Sequence, residues 1–237
     1  MGGAPEPQTA AAVLMIRPAA FSRNDATRPS NRFQVGEADA AKTGPAAVAE
    51  FDGLAAMLAR HGVDVRVFAG RTTSVLPDEV FPNNWLSTHA DGTAVLYPMM
   101  AWNRRPERRR DVLDELQQHG DGYRIDRIVD LTALENEGVF LEGTGSLVLD
   151  RANRVGYACH SPRTHTRALR EFARRLDYDI IVFDAKDRDG FPIYHTNVML
   201  SLGERFAAVC LEAIPAIEQR YRILRRLEKS DRTVIEH

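Results

Sequence analysis

Gly145-Ser-Leu-Val-Leu149, Asp150-Arg-Ala-Asn153, Val155-Gly-Tyr-Ala-Cys159, an amphipathic stretch from Thr164 to Leu176 and Ile180-Ile-Val-Phe183 follow one another without interruption. Two short apolar runs around a polar turn, then a helical period, then a third apolar run predict the order strand, strand, helix, strand. The order recurs on either side. Upstream, Trp85 to Thr88 passes through Ala90-Asp91-Gly92, a tight-hairpin signal, into Thr93 to Tyr97, then a helix over Pro106–His119 ending at Gly120, and a strand over Ile125–Leu131. Downstream, Ile193–Leu200 reads as a strand, Gly203-Glu204 as a turn, Phe206–Leu211 as a strand, Pro215 to Lys229 as a helix and Thr233–Ile235 as a strand. A fourth, diverged copy begins the chain: a strand over Val13–Ile16, a helix over Pro45–His61 and a strand over Val63–Phe68. A period of roughly 45 to 50 residues belongs to arrays and propeller-like assemblies. Pro18 to Gly36, carrying Asn24, Thr27, Asn31 and Gln34, is long for a plain connection and is expected to be functional or mobile.

Composition narrows the function classes. The 237 residues hold 31 Lys and Arg against 33 Asp and Glu, 44% hydrophobic and 27% charged residues, an ordinary globular balance. No apolar run approaches the roughly 18 residues of a membrane span, and the N-terminus lacks a basic region followed by a cleavage-type site. With only Cys159 and Cys210, a disulfide framework is unavailable, and a cytoplasmic setting is expected. The near-neutral charge argues against a nucleic-acid partner. The basic run Arg104, Arg105, Arg108, Arg109 and Arg110 alternates with Glu107, Asp111, Asp114 and Glu115 and reads as a solvated helix.

Three polar clusters stand out. Glu142 lies in Phe140-Leu-Glu-Gly-Thr-Gly-Ser146, where flanking glycines let the backbone approach a ligand; an exposed turn glutamate is the plainer alternative. His195, in Ile193-Tyr-His-Thr-Asn-Val-Met-Leu200, is expected half-buried on a strand with Asn197 two residues on along the same face; a satisfied core histidine is the alternative. Phe81-Pro-Asn-Asn-Trp85 places two adjacent amides, Asn83 and Asn84, just ahead of a strand, where an Asx turn is the alternative. Cys210 is expected to be inert in an apolar strand, and Cys159, before a His-Ser-Pro turn, to be the more accessible thiol.

Met15-Ile-Arg-Pro18, Phe81-Pro-Asn-Asn-Trp85, Phe140-Leu-Glu-Gly-Thr-Gly145, Ala158-Cys-His-Ser-Pro-Arg-Thr164 and Tyr194-His-Thr-Asn197 together resemble, in order, the citrulline-utilisation hydrolase branch of the guanidino-group-modifying, or amidinotransferase, superfamily. The resemblance implies a pentein-type α/β propeller, of whose five strand-strand-helix-strand blades this chain holds about four, as a single catalytic domain over 1–237, C-terminally truncated. It implies attack by a cysteine on the central carbon of a guanidino or ureido group. By motif, Glu142 and His195 resemble the acid–base pair, Asn83 and Asn84 the grip on the head group, Arg163 the arginine that takes the substrate α-carboxylate, and Asp78 a further substrate contact. Removing Arg163 is then expected to weaken amino-acid binding with little effect on stability. No metal or organic cofactor is implied, and the partner is a small-molecule amino acid.

An amide offers both a donor and an acceptor, as a neutral ureido group requires, whereas a guanidinium favours carboxylates. Asn83 and Asn84, with Asn197 where many relatives carry Asp, therefore lean towards citrulline, converted to ornithine, ammonia and carbon dioxide. Arginine deiminase or amidinotransferase activity remains the alternative. The superfamily's nucleophilic cysteine lies in a Gly-rich last blade, and neither Cys159 nor Cys210 matches its place. A catalytically inactive binding or interaction protein is thus a further alternative, and an unclosed propeller would leave a surface for oligomerisation.

Overall fold

The computed structural model describes residues 6–34, 40–72, 76–118 and 124–236. Four small sheets succeed one another among the described residues. In the first, β1 (Ala12–Arg17) and β2 (Asp64–Ala69) pair in parallel across the crossover helix α1 (Ala40–Arg60). The second has β3 (Leu86–Thr88), β4 (Thr93–Leu96), α2 (Arg110–Gln118) and β5 (Arg127–Asp130). The third has β6 (Val148–Asp150), β7 (Val155–Cys159), α4 (Thr166–Leu176) and β8 (Asp179–Phe183), preceded by the one-turn helix α3 (Gly143–Ser146). The fourth has β9 (Leu200–Leu202), β10 (Phe206–Val209), α5 (Ile217–Glu228) and β11 (Thr233–Glu236). In each of these three the middle strand pairs antiparallel with the first and parallel with the last, as a hairpin followed by a helical crossover requires.

The sequence dictates these pieces locally. Gly92, at φ 78°, supplies the left-handed turn of the β3–β4 hairpin. Helix α4 buries Ala168, Leu169, Phe172 and Leu176 along one stripe and stops where Asp177 adopts the left-handed conformation. Alternation along the middle strands feeds two cores at once. Val95 and Tyr97 belong to a cluster with Leu147, Leu149 and Phe172, whereas Ala94 packs with Ile16, Trp85 and Leu113. Val155, Tyr157 and Cys159 likewise join Met199, Leu200, Val209 and Leu227 of the next sheet. The apolar core therefore lies between successive sheets, the solution open to blades that cannot bury both faces alone.

Residues 6–9 tie the hairpin ends together. Gln8 donates to the carbonyls of Leu149 and Leu202, Glu6 accepts from the Ala90 amide and pairs with Arg151, and Thr9 donates to Glu204. Behind them Arg232 and Asp150, 6% and 1% exposed, form a buried ion pair at 2.6 Å.

The strand-strand-helix-strand order is as expected, and its boundaries shift in four places. Gly145 and Ser146 close helix α3, so the strand expected from Gly145 starts at Val148. Ile193–Met199 is not a strand: a 3-10 turn spans Thr196–Val198 and β9 starts at Leu200. Pro106 belongs to a 3-10 segment, Trp102–Glu107, and α2 begins only at Arg110. Helix α1 begins at Ala40 and holds Pro45 within it. The expected end of α2 at Gly120 lies outside the described residues.

Candidate active site

Each of the three complete sheets is entered through one tight turn. Pro82–Asn84 leads into β3, Gly143–Ser146 into β6 and Thr196–Val198 into β9. The first strand of each hairpin runs away from its turn, so the three turns gather at the end opposite the hairpin tips. They carry Asn83 and Asn84, Glu142 as the residue before α3, and His195 as the residue before the 3-10 turn. Gly143 and Gly145 make the approach possible. A Cβ on Gly143, whose φ is +45°, would stand 2.1 Å from the Asn83 carbonyl, and one on Gly145 would stand 2.7 Å from both Asn84 Nδ2 and His195 Nδ1.

The turns wall a cavity of about 450 Å³, closed on its other side by the segment after β1. Asp78, Asn83, Asn84, Arg163, His195 and Asn197 all line it, together with Thr27, Asn31 and Gln34. Glu142 stands directly behind, fully buried. A larger, shallower groove of about 760 Å³ on the outer surface, between β8 and α5, contains none of the motif residues.

Glu142 is the centre of the arrangement. Its Oε2 accepts from His195 Nε2 at 2.9 Å and from Arg163 Nη1 at 3.2 Å, with Arg104 Nη1 at 3.8 Å, while Oε1 accepts the Met100 amide at 3.1 Å. Burial alone would raise its pKa, but the His195 hydrogen bond and the two guanidinium charges outweigh burial and hold it at about 2. Burial also lowers the pKa of His195, the Glu142 hydrogen bond pulling the other way. The pair is thus an ionised carboxylate accepting from Nε2–H of a neutral imidazole at neutral pH. Such a pair can take up and return a proton. Asn197 does not share a strand face with His195 as expected; it lies in the 3-10 turn Thr196–Val198 and is exposed at the cavity mouth.

Arg163 is 2% exposed and already engaged. Beyond Glu142, its Nε donates to Ser30 Oγ at 3.0 Å, and its Nη2 to Ser30 Oγ at 2.7 Å and to the Thr27 carbonyl at 3.1 Å, with the guanidinium 4.9 Å from the Tyr194 ring. It therefore fastens the long segment after β1 to Glu142, and a stability-neutral arginine is not what the packing describes. Asp78 accepts from Asn24 Nδ2 at 2.7 Å, and Asn103 donates to Asn24 Oδ1 at 2.8 Å.

Arg104 overturns its reading as part of a solvated helix. It is 2% exposed, its Nε and Nη2 bonded to the buried Glu107 at 2.9 Å each, its Nη1 to Asn84 Oδ1 at 2.9 Å, and its Nε 3.4 Å from Asp78. Burial raises the Glu107 pKa to about 7 against the pull of Arg104. The sequence signal was the i,i+3 spacing of Arg104 and Glu107, lost among neighbouring charges. Cys159 is also reversed: it is fully buried, its Sγ donates to the Ile193 carbonyl, and burial pushes the thiol up to about 11. Cys210 is the more accessible of the two. Neither lines the cavity, and among the described residues no cluster of three His, Cys, Asp or Glu could hold a metal ion. Nor is any described helix long and apolar enough to cross a membrane.

Residues 17–236 match the family described as N,N dimethylarginine dimethylhydrolase, eukaryotic. The chain belongs to that family. By lineage it is a C–N bond hydrolase of the pentein superfamily, as the motifs resemble, at a level coarser than the citrulline-utilising branch. No curated protein gives a significant match. Among solved structures, the substrate-bound N-terminal domain of ArgZ, an arginine dihydrolase from the ornithine–ammonia cycle in cyanobacteria, is 18% identical with a TM-score of 0.70, over 95% of this chain and 76% of that one. AgrE with L-arginine is 20% identical at TM-score 0.66, over 94% of this chain and 31% of that one. A dimethylarginine dimethylaminohydrolase bearing an S-methyl-L-thiocitrulline adduct is 15% identical at TM-score 0.61, over 95% and 76%. At these identities the likeness is one of fold, the α/β propeller of penteins, with its blades recognisable in the four sheets.

Proposed function

We propose that residues 1–237 form one pentein-like domain that binds an arginine-type amino acid and presents its guanidino or ureido carbon to Glu142 and His195 for C–N hydrolysis. The observation that carries this reading is the 2.9 Å Glu142–His195 pair, whose imidazole lines a cavity also lined by Asp78, Asn84 and Arg163 while the carboxylate backs it from the buried side. Asn84 Nδ2 and His195 Nδ1 both pack against Gly145, each 2.7 Å from where a Cβ on it would stand, so the two side chains are neighbours on the cavity wall. Arg163 and Arg104 supply positive charge for a carboxylate, though both already have internal partners.

Within that class citrulline is the narrower proposal. The reaction consumes one water and yields ornithine, ammonia and carbon dioxide. In the cysteine chemistry that the resemblance implies, a thiolate attacks the ureido carbon, ammonia leaves with a proton carried by His195, and water then releases the thiol and a carbamate that loses carbon dioxide. Cys159 and Cys210 are the two thiols of these 237 residues and neither lines the cavity, so the site supplies the head-group contacts and the acid–base pair, and the thiol step is assigned to no residue of this sequence. A second reading, a cationic guanidino substrate as in the arginine dihydrolase relative, is supported by the Asp78 carboxylate on the cavity wall. Calorimetric titration with citrulline, arginine and dimethylarginine tests the class; binding of none of them overturns it. Ammonia and ornithine release, measured with Cys159→Ser and Cys210→Ser alongside, tests turnover: activity abolished by either substitution would return the nucleophile to that thiol.

A further inference from the structure

An Asn side chain can turn either its carbonyl or its amino group towards a ligand, and what bonds it from behind decides which. Arginine only donates. Arg104 Nη1, 2.9 Å from Asn84, therefore requires the Asn84 oxygen on its own side and leaves Nδ2 on the other. Asn84 is 5% exposed and lines the cavity, and its Nδ2 finds no acceptor among the described residues. Arg104 itself has no freedom to turn: Glu107, 1% exposed, takes Nε and Nη2 at 2.9 Å each, and the Asp78 carbonyl takes Nη2 at 3.4 Å.

We propose that Arg104 and Glu107 form a buried clamp that fixes the Asn84 amide with its NH2 towards the cavity, and so determine specificity for a head group that offers an acceptor oxygen there, a ureido over a guanidinium. Arg104 and Glu107 are positioning residues, and Asn84 makes the contact. The inference deepens the narrower proposal above and rests on the binding class. A carbonyl oxygen meets the unpaired NH2 as a hydrogen-bond acceptor, whereas a guanidinium meets it donor to donor. Loss of one such hydrogen bond at a buried site is worth about tenfold in affinity.

The test is the ratio of citrulline to arginine affinity, by calorimetry, in the full chain. The wild type is expected to favour citrulline. Asn84→Asp keeps the pairing with Arg104 but presents an acceptor, and is expected to move the ratio at least tenfold towards arginine. Glu107→Ala, which frees Arg104 to rotate, is expected to erode the ratio several-fold, and Glu107→Gln, which still accepts from the guanidinium, to restore most of it. A purely structural Glu107 would lower the melting temperature without moving the ratio. If Glu107→Ala does not fold, Asn84→Asp and Glu107→Gln decide. Wild-type binding of none of citrulline, arginine and dimethylarginine overturns the binding class itself, and binding of dimethylarginine alone overturns the specificity assignment. Wild-type preference for arginine, or a ratio unmoved by Asn84→Asp, overturns the specificity assignment while leaving that class intact.

Discussion

Removing the Arg163 side chain should damage the fold as much as the site. Arg163→Ala deletes four hydrogen bonds at once, to Glu142, to the Thr27 carbonyl and twice to Ser30, from a residue 2% exposed. Glu142, fully buried, is left with His195 and with Arg104 at 3.8 Å. Removing one partner of a buried ion pair costs about 3–5 kcal/mol, since the other charge stays desolvated. In a chain of this length that lowers the melting temperature by roughly 6 to 20 °C. A carboxyl drawn from its ordinary 4.5 to about 2 contributes stability present above pH 4.5 and lost as the pH falls towards 2. A shift of that size corresponds to about 3 kcal/mol. Without Arg163 the Glu142 pKa rises, so the part of the stability gap that comes from Glu142 should be complete near pH 7 and shrink as the pH falls below the variant's carboxyl pKa towards 2. Scanning calorimetry at pH 7 and pH 3 reads both quantities. Arg163→Lys, which restores a charge but not the fork to Ser30 and Thr27, should fall between. A melting temperature within about 2 °C of the wild type, with weakened amino-acid binding, would refute this reasoning and make Arg163 a free carboxylate receptor.

Gly145→Ala places a methyl 2.7 Å from both Asn84 Nδ2 and His195 Nδ1, so citrulline and arginine affinity should fall by more than tenfold, at a stability cost of about 1–3 kcal/mol measured by urea unfolding. Gly53→Ala, on α1 with open space around it, is the control and should leave binding alone while gaining about 0.5–1 kcal/mol. With a thiol-directed alkylating reagent at pH 8, mass spectrometry should find Cys210 labelled well before Cys159, whose thiol burial pushes up to about 11; prompt labelling of Cys159 would show that its pocket opens.

The order of elements was legible because hairpin signals such as Asp91-Gly92 and amphipathic stripes such as Leu169, Phe172 and Leu176 act over a few residues. What failed was decided at longer range. Ser146-Leu-Val-Leu149 and Tyr194 to Leu200 have the apolar content of strands, yet Ser146 Oγ bonds the Arg163 carbonyl and Thr196 Oγ1 the Ser146 carbonyl, and these contacts hold the chain in turns. Arg104 read as solvated because its charge partners beyond Glu107, namely Asp78 and Glu142, stand far away in the chain. The repeat itself contained the missing signal. Phe81-Pro-Asn-Asn-Trp-Leu86, Glu142-Gly-Thr-Gly-Ser-Leu147 and His195-Thr-Asn-Val-Met-Leu200 each place a tight turn just before the first strand of a blade. Blades related by a common fold bring equivalent positions to one place. Polar residues recurring there, an amide, a carboxylate and an imidazole, have no packing reason to recur at the entrance of three apolar hairpins, and the convergence of the three turns on one cavity supplies a reason.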